Sequence, residues 1–252
     1  MPQPALLLIH GVASGAWVWD YWRARLRDLG WHANVLDVRG HGRSIPIDLS
    51  TTTMEDYVAD VASVTQQIAA AQGVHPVIGG WSIGGMIAMM YVAQHPETTG
   101  LVLFEPSPPL EIGGKASGDV VRQFQGATLT PESFGLYPDD LERSRPRLFD
   151  LTDSEAESFL AQSSGATESG IAVRQNLRGI SITQDTINCP ALVVYGESVQ
   201  RETTAAQNRR LAEHLKADTL AVAGAGHWGL VYSQSAVEQT APLLDAWLRR
   251  VL

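Results

Sequence analysis

Only one cysteine, Cys189, occurs in the 252 residues. That excludes an internal disulfide, and the absence of Cys/His clusters at metal-ligand spacing gives no reason to expect a bound metal. Cations are also scarce, since 18 Lys and Arg stand against 27 Asp and Glu for a formal charge of −9. Phosphate backbones and anionic lipid need clustered Lys and Arg, so neither nucleic acid nor a membrane surface is an expected partner. No apolar stretch reaches the roughly 18 residues of a membrane span. The opening MPQPALLLIHG carries no basic leader or small-residue cleavage site, so a cytoplasmic, reducing location is expected. There is no Gly-rich phosphate motif and no dinucleotide fingerprint, so no cofactor is implied. Internal repeats are lacking too.

With 44% hydrophobic and 18% charged residues, the chain has an ordinary globular composition and a length that suits one α/β domain. Short apolar runs recur: ALLLIH (5–10), HANVLDV (32–38), HPVIGG (75–80), LVLF (101–104), ALVVY (191–195) and TLAVAG (219–224). Helical patterns fall between them, near 17–29, 54–72, 83–95, 203–216 and 234–251. Continuous rather than alternating apolar runs are the mark of strands covered on both faces, so the alternation predicts a doubly wound, mostly parallel sheet. Thr52-Thr53-Met54-Glu55 has the T-x-x-E form of a capping box. The rhythm breaks between about Ser107 and Asp185, where Gly, Ser, Pro and acidic residues surround short amphipathic pieces and no convincing strand is seen. The expected division is therefore a core in two parts, 1–106 and 186–252, with 107–185 inserted as a helical lid.

The segment Gly80-Trp81-Ser82-Ile83-Gly84 is a G-x-S-x-G pattern between a strand and an apolar helix. A serine in that context sits on a sharp turn with Oγ above the sheet edge, at the electropositive end of the helix. Ser82 is thus a candidate nucleophile, and Gly85 allows close packing behind it. An oxyanion formed there needs amide donors, for which Val12 N–H, after His10-Gly11, and Ile83 N–H are the natural pair. His10 itself, at a strand end before glycine, is expected to tie down the loop.

The LIHGV start, DVRGHGRS (37–44), the GWSIGG elbow and the late GAGHW together resemble the α/β-hydrolase fold enzymes over the whole chain. The opening HGVASGAWVWDYW is most similar to the plant methylesterase and hydroxynitrile lyase branch and its bacterial relatives. The resemblance implies a base at His227 and an acid. In most relatives an aspartate stands three residues after the glycine that follows the strand corresponding to ALVVY; here Gly196 is followed at that place by Val199. Glu105, after LVLF, resembles the zearalenone lactonases and certain haloalkane dehalogenases, whose acid follows this strand, the sixth in the family's usual count. Glu197 and Glu202 remain alternatives, and Glu105 has the alternative of pairing with Arg122 or Arg174.

A Ser82, His227, Glu105 set implies an esterase or lactonase acting on a small, largely apolar carboxylic ester or lactone through an acyl-enzyme. Hydroxynitrile lyases of the resembling branch carry threonine and lysine where this chain has Gly11 and Trp228. Epoxide hydrolases and haloalkane dehalogenases use a carboxylate nucleophile where this chain has Ser82. Trp17, Trp81 and Trp228 lie beside motif residues and are expected to line an apolar pocket, as Trp19 could, although tryptophan also fills cores. Two other readings stay open: a noncatalytic ligand-binding protein on the same fold, and an acyltransferase or perhydrolase.

Overall fold

The six apolar runs read from the sequence become strands; those at 5–10, 75–80, 101–104 and 191–195 are buried on both faces, while the runs at 32–38 and 219–224 form the more exposed edges. The computed structural model describes residues 4–197 and 202–252 of the chain. Val199 lies outside the described residues, as does the side chain of Glu202. The strands are β1 (Leu6–Ile9), β2 (Ala33–Leu36), β3 (Val77–Trp81), β4 (Gly100–Phe104), β5 (Thr128–Leu129), β6 (Glu168–Ser169), β7 (Ala191–Glu197) and β8 (Asp218–Ala223). Six of them form one parallel sheet in the order β2-β1-β3-β4-β7-β8. The helices are α1 (Asp20–Asp28), α2 (Met54–Gln72), α3 (Ile83–Val92), α4 (Gly118–Arg122), α5 (Leu141–Ser144), α6 (Asp153–Ser163), α7 (Gly170–Arg178), α8 (Glu202–Leu215), α9 (Gly229–Tyr232) and α10 (Gln234–Val251).

Strand residues alternate between two cores. Leu7, Ile9, Ile78, Leu101, Leu103 and Val193 pack with α2, α3 and α8. Leu6, Leu8, Val77, Val102, Phe104 and Val194 pack with α1 and α10 on the other face. Burying one such side chain contributes roughly 2 kcal/mol, which is why these runs are apolar at every position. The chain leaves β1 for β2 on one side and returns to β3 on the other, so the loops after β1 and β3 diverge from a shared crevice. Ligand sites in open parallel sheets form at the carboxyl ends of strands beside such a reversal.

Two local expectations need correction. The capping box of α2 is one residue later than the T-x-x-E pattern suggests: Asp56 N donates to Thr53 Oγ1 (3.3 Å), and Thr53 N donates to Asp56 Oδ2 (2.9 Å). Thr52 instead ends a short 3-10 turn and its carbonyl accepts from Ser169 Oγ, while Glu55 accepts from Gln175 Nε2 of α7 (3.0 Å). Contacts with the segment after β4 thus displaced the local pattern. That segment, expected to be mostly helical with no convincing strand, does hold one pair of strands. Besides α4 to α7 it holds an antiparallel ribbon of β5 with β6, pairing Thr128 with Ser169 and Leu129 with Glu168. Strands of two residues leave no periodicity to read. Among the described residues, no helix is long and apolar enough to cross a membrane.

Candidate active site

Ser82 joins β3 to α3 with φ 57° and ψ −124°, a conformation that costs a non-glycine residue about 1–3 kcal/mol. The surrounding backbone holds it there. Ser82 N donates to Phe104 O (3.2 Å), extending the ladder with β4, and Ser82 O accepts from Ser107 N (2.8 Å) and Gly85 N (3.0 Å). Close approach explains the flanking glycines. A Cβ on Gly84 would stand 2.3 Å from His10 O, and one on Gly85 would stand 2.4 Å from Pro106 Cβ. Any side chain at either place would push α3 off β1 or off the end of β4. Ser82 is left half-buried at the amino end of α3.

Glu105 follows β4 directly and is also strained, with φ 37°. Its side chain is 1% exposed and reaches sideways across the sheet edge: Oε1 accepts from Gly196 N at 2.9 Å, and Oε2 lies 3.0 Å from His227 Nδ1. A buried carboxylate requires such donors, because desolvating it without them costs several kcal/mol. Neither arginine weighed as a partner for Glu105 serves it. Arg122 pairs with Asp119, and Arg174 donates to the carbonyls of Phe124 and Gly126. Glu197 is exposed and pairs with Arg209 at 3.1 Å.

His227 is held from a second side by the elbow itself. Trp81 Nε1 donates to His227 O (2.9 Å), and the two rings lie 5.0 Å apart between centroids. The residue before Ser82 therefore grips the histidine loop. The imidazole side chain keeps 19% of its surface exposed. Among the described residues no hydrogen bond joins Ser82 Oγ to the ring; such contacts commonly tighten only when substrate is bound.

The loop after β1 closes the other side. A Cβ on Gly11 would stand 3.0 Å from Ser82 Cβ, so the backbone leading to Val12 runs against the serine. Ile83 is the first residue of α3, and its N–H has no intrahelical acceptor. The next amide along the loop, Ala13 N–H, is engaged by Glu168 Oε1 at 2.7 Å, which fixes Ala13 at φ 54°. Behind this loop lie two histidines with opposite charge preferences. His10 Nδ1 faces Gly11 O (2.8 Å) while Nε2 accepts from Val38 N (3.4 Å), a pattern only the neutral ring can make. Burial, and then the charge on His41, lower its pKa to about 4. His41 Nδ1 faces Arg39 O at 2.9 Å, and the Glu168 carboxylate lies beside Nε2 as an ion-pair partner, with Oε2 at 3.0 Å. Burial works against its charge, but the field and contact of Glu168 outweigh that and raise its pKa to about 9.

The three tryptophans are not equivalent, and Trp81 needs correction as a pocket residue. It is 0% exposed, packed between His227 and Trp228, so it forms the floor under the histidine and not an accessible wall. Its indole is drawn inward by the carbonyl of His227 and by apolar burial together. Trp228, 5% exposed, continues an aromatic column through Phe159 of α6 to Trp17 and Tyr232, with neighbouring centroids 4.8–5.4 Å apart. Edge-on pairs of this kind add about 0.5–1.5 kcal/mol each beyond area burial. Trp17 alone of the three retains appreciable surface, on the wall of a cavity of about 280 Å³ shared with Ser14, His41 and Gln162. Trp19 and Trp22 are fully buried against Phe104.

Two residues near the site had no signal in the sequence. Glu168 holds the loop after β1, and Asp150 accepts from Gly226 N (2.6 Å) and Gly229 N (2.7 Å), on either side of His227. Both act on segments more than 70 residues away, as their separations of 155, 76 and 79 residues record.

Comparison with known proteins gives a consistent picture. A family model described as the alpha/beta hydrolase family matches residues 6–243. The pimeloyl-[acyl-carrier protein] methyl ester esterase of Salmonella heidelberg is 26% identical over 181 residues, which cover 71% of this chain and 60% of that protein. The match thus spans well under two thirds of the curated relative's length. Among solved structures, a thermophilic esterase from Thermogutta terrifontis superposes with a TM-score of 0.73 at 22% identity, covering 98% of this chain and 90% of that one. An enzyme that degrades N-acyl homoserine lactones gives 0.67 at 21% identity, covering 100% and 94%. Tomato methylketone synthase I gives 0.70 at 14% identity, covering 98% and 100%. At such identities these structures share the fold with this chain.

Proposed function

Because this chain belongs to the alpha/beta hydrolase family, we propose that it is a serine hydrolase that cleaves a small, largely apolar carboxylic ester or lactone through an acyl-enzyme. The observation that carries this reading is the buried contact of 3.0 Å between Glu105 Oε2 and His227 Nδ1, made beside a strained serine elbow. With Nδ1–H held by the carboxylate, the neutral ring presents Nε2 as an acceptor, the tautomer that a general base requires. In the proposed reaction Ser82 Oγ attacks the carbonyl carbon as His227 Nε2 takes its proton. Glu105 stabilises the imidazolium, and Val12 N–H and Ile83 N–H receive the developing oxyanion. His227 then donates the proton to the leaving alcohol oxygen. Water, deprotonated by the same ring, attacks the Ser82 ester and releases the acid.

Glu105 as the acid, in place of a residue after β7, is supported by its burial and by the engagement of Glu197 with Arg209. Residues 107–185 serve as a lid over a core made of 1–106 and 186–252, and the aromatic column from Trp81 to Phe159 supports that division. The formal charge of −9 disfavours phosphorylated substrates. The test is hydrolysis of p-nitrophenyl acetate, p-nitrophenyl butyrate and short lactones by the native protein and by Ser82→Ala. Turnover lost in Ser82→Ala is the expected result. No serine-dependent turnover across these substrates, with ligand binding retained, would overturn the reading in favour of a noncatalytic binding protein.

A further inference from the structure

Asp150 lies between α5 and α6, far from the motif residues in sequence, and its carboxylate is buried against the histidine loop. One oxygen, Oδ2, accepts from both Gly226 N (2.6 Å) and Gly229 N (2.7 Å), the amides that bracket His227-Trp228. The fit is close. A Cβ on Gly229 would stand 2.2 Å from that oxygen, and one on Gly226 would stand 2.9 Å from it and 2.6 Å from Phe149 Cζ. The loop is thus glycine on each side of the histidine because a carboxylate occupies the space that side chains would need. The second oxygen, Oδ1, is buried with no hydrogen-bond partner among the described residues.

A buried unpaired carboxylate oxygen forfeits about 1–3 kcal/mol or more, and burial correspondingly raises the pKa of Asp150, with His227 among the groups acting against the rise. An uncompensated group of this kind calls for a role beyond folding. The two amides it holds bracket His227, so the place of the imidazole depends on this carboxylate, and a small misplacement of a reacting group is costly in rate. We propose that Asp150 is a positioning residue for His227: it fixes the loop through the two flanking amides and so holds the imidazole in place against Glu105. This rests on the reading of Ser82 and His227 as nucleophile and base.

The experiment compares the native protein with Asp150→Ala and Asp150→Asn for kcat and KM on p-nitrophenyl butyrate, the pH profile of kcat/KM, thermal midpoint, and the rate at which a fluorophosphonate labels Ser82. Asp150→Ala, which frees the loop, is expected to lower kcat and the labelling rate about 100-fold, with KM changed less than about threefold. Asp150→Asn keeps an acceptor oxygen for both amides but removes the charge. It is expected to restore the native thermal midpoint and to return kcat and the labelling rate to within about threefold of native, with the native pH profile. If Asp150→Ala does not fold, Asp150→Glu, which moves the acceptor oxygens by one methylene group, is read in its place, with kcat and labelling expected to fall and KM to hold. Native kcat and labelling rate in a folded Asp150→Ala or Asp150→Glu variant would overturn the proposal while leaving the serine hydrolase reading intact. Absence of Ser82-dependent labelling and turnover in the native protein would overturn both.

Discussion

Replacing Glu105 by glutamine tests the acid through a tautomer that the structure dictates. Oε1 of Glu105 accepts from Gly196 N at 2.9 Å, so the amide oxygen of the glutamine must keep that place and its NH2 must face His227 Nδ1, now 3.0 Å from Oε2. An NH2 group cannot accept, so Nδ1 becomes the acceptor and the ring proton moves to Nε2. The base then presents a donor where it has to receive the proton of Ser82. A triad locked in the wrong tautomer loses about 10⁴ in kcat, equivalent to about 5 kcal/mol of transition-state stabilisation at 1.36 kcal/mol per tenfold. Initial rates of p-nitrophenyl butyrate hydrolysis, with circular dichroism and thermal melts to confirm folding, measure it. Glu197→Gln removes an exposed ion pair with Arg209 and is expected to change kcat less than about twofold. Folded proteins with the reverse ranking would refute the assignment of Glu105.

Stability should peak near neutral pH because His10 and His41 are shifted in opposite directions. His41, raised from 6.5 to about 9, stabilises the fold fully below pH 6.5, and about 3 kcal/mol is lost as pH rises through 9. His10, lowered to about 4, resists protonation in the fold, so stability of similar size is lost as pH falls from 6.5 toward 4. Urea midpoints across pH 5 to 9 check this, and Glu168→Gln should flatten the alkaline side; a native profile that rises steadily to pH 9 would contradict it. Gly84→Ala would place a methyl group 2.3 Å from His10 O. It should cost about 2 kcal/mol or more through backbone displacement and lower the labelling of Ser82, and a native melting point with native labelling would count against the packing described.

The features legible in the sequence were those dictated locally or by continuous apolar runs. Both faces of Leu6–Ile9 and Leu101–Phe104 are buried, so six runs gave six strands of one parallel sheet. The turn at Ser82 needs small residues immediately around it, so G-x-S-x-G was visible as a motif. The juxtaposition of Glu105 with His227 was reachable only through the resemblance and the missing aspartate after Gly196, because the contact spans 122 residues. What escaped depends on tertiary packing. The ribbon of β5 and β6 is too short to carry a period, and the α2 cap falls on Thr53 and Asp56 while Glu55 turns to Gln175. Trp81 looked like a pocket wall because it adjoins the serine, yet a strand-end residue buried on both sides faces the core. Asp150 sits in an acidic stretch and Glu168 alone among small residues, and only the amides they meet across the fold distinguish them.

The central claim is that Ser82, His227 and Glu105 act as one unit, and a crystal structure of the protein inhibited by a small alkyl phosphonate tests it most directly. The account predicts a phosphorus bonded to Ser82 Oγ, a phosphonyl oxygen within hydrogen-bond reach of Val12 N–H and Ile83 N–H, and His227 still joined to Glu105 through Nδ1. A phosphonate on another residue, or a His227 ring held by a different carboxylate, would contradict it.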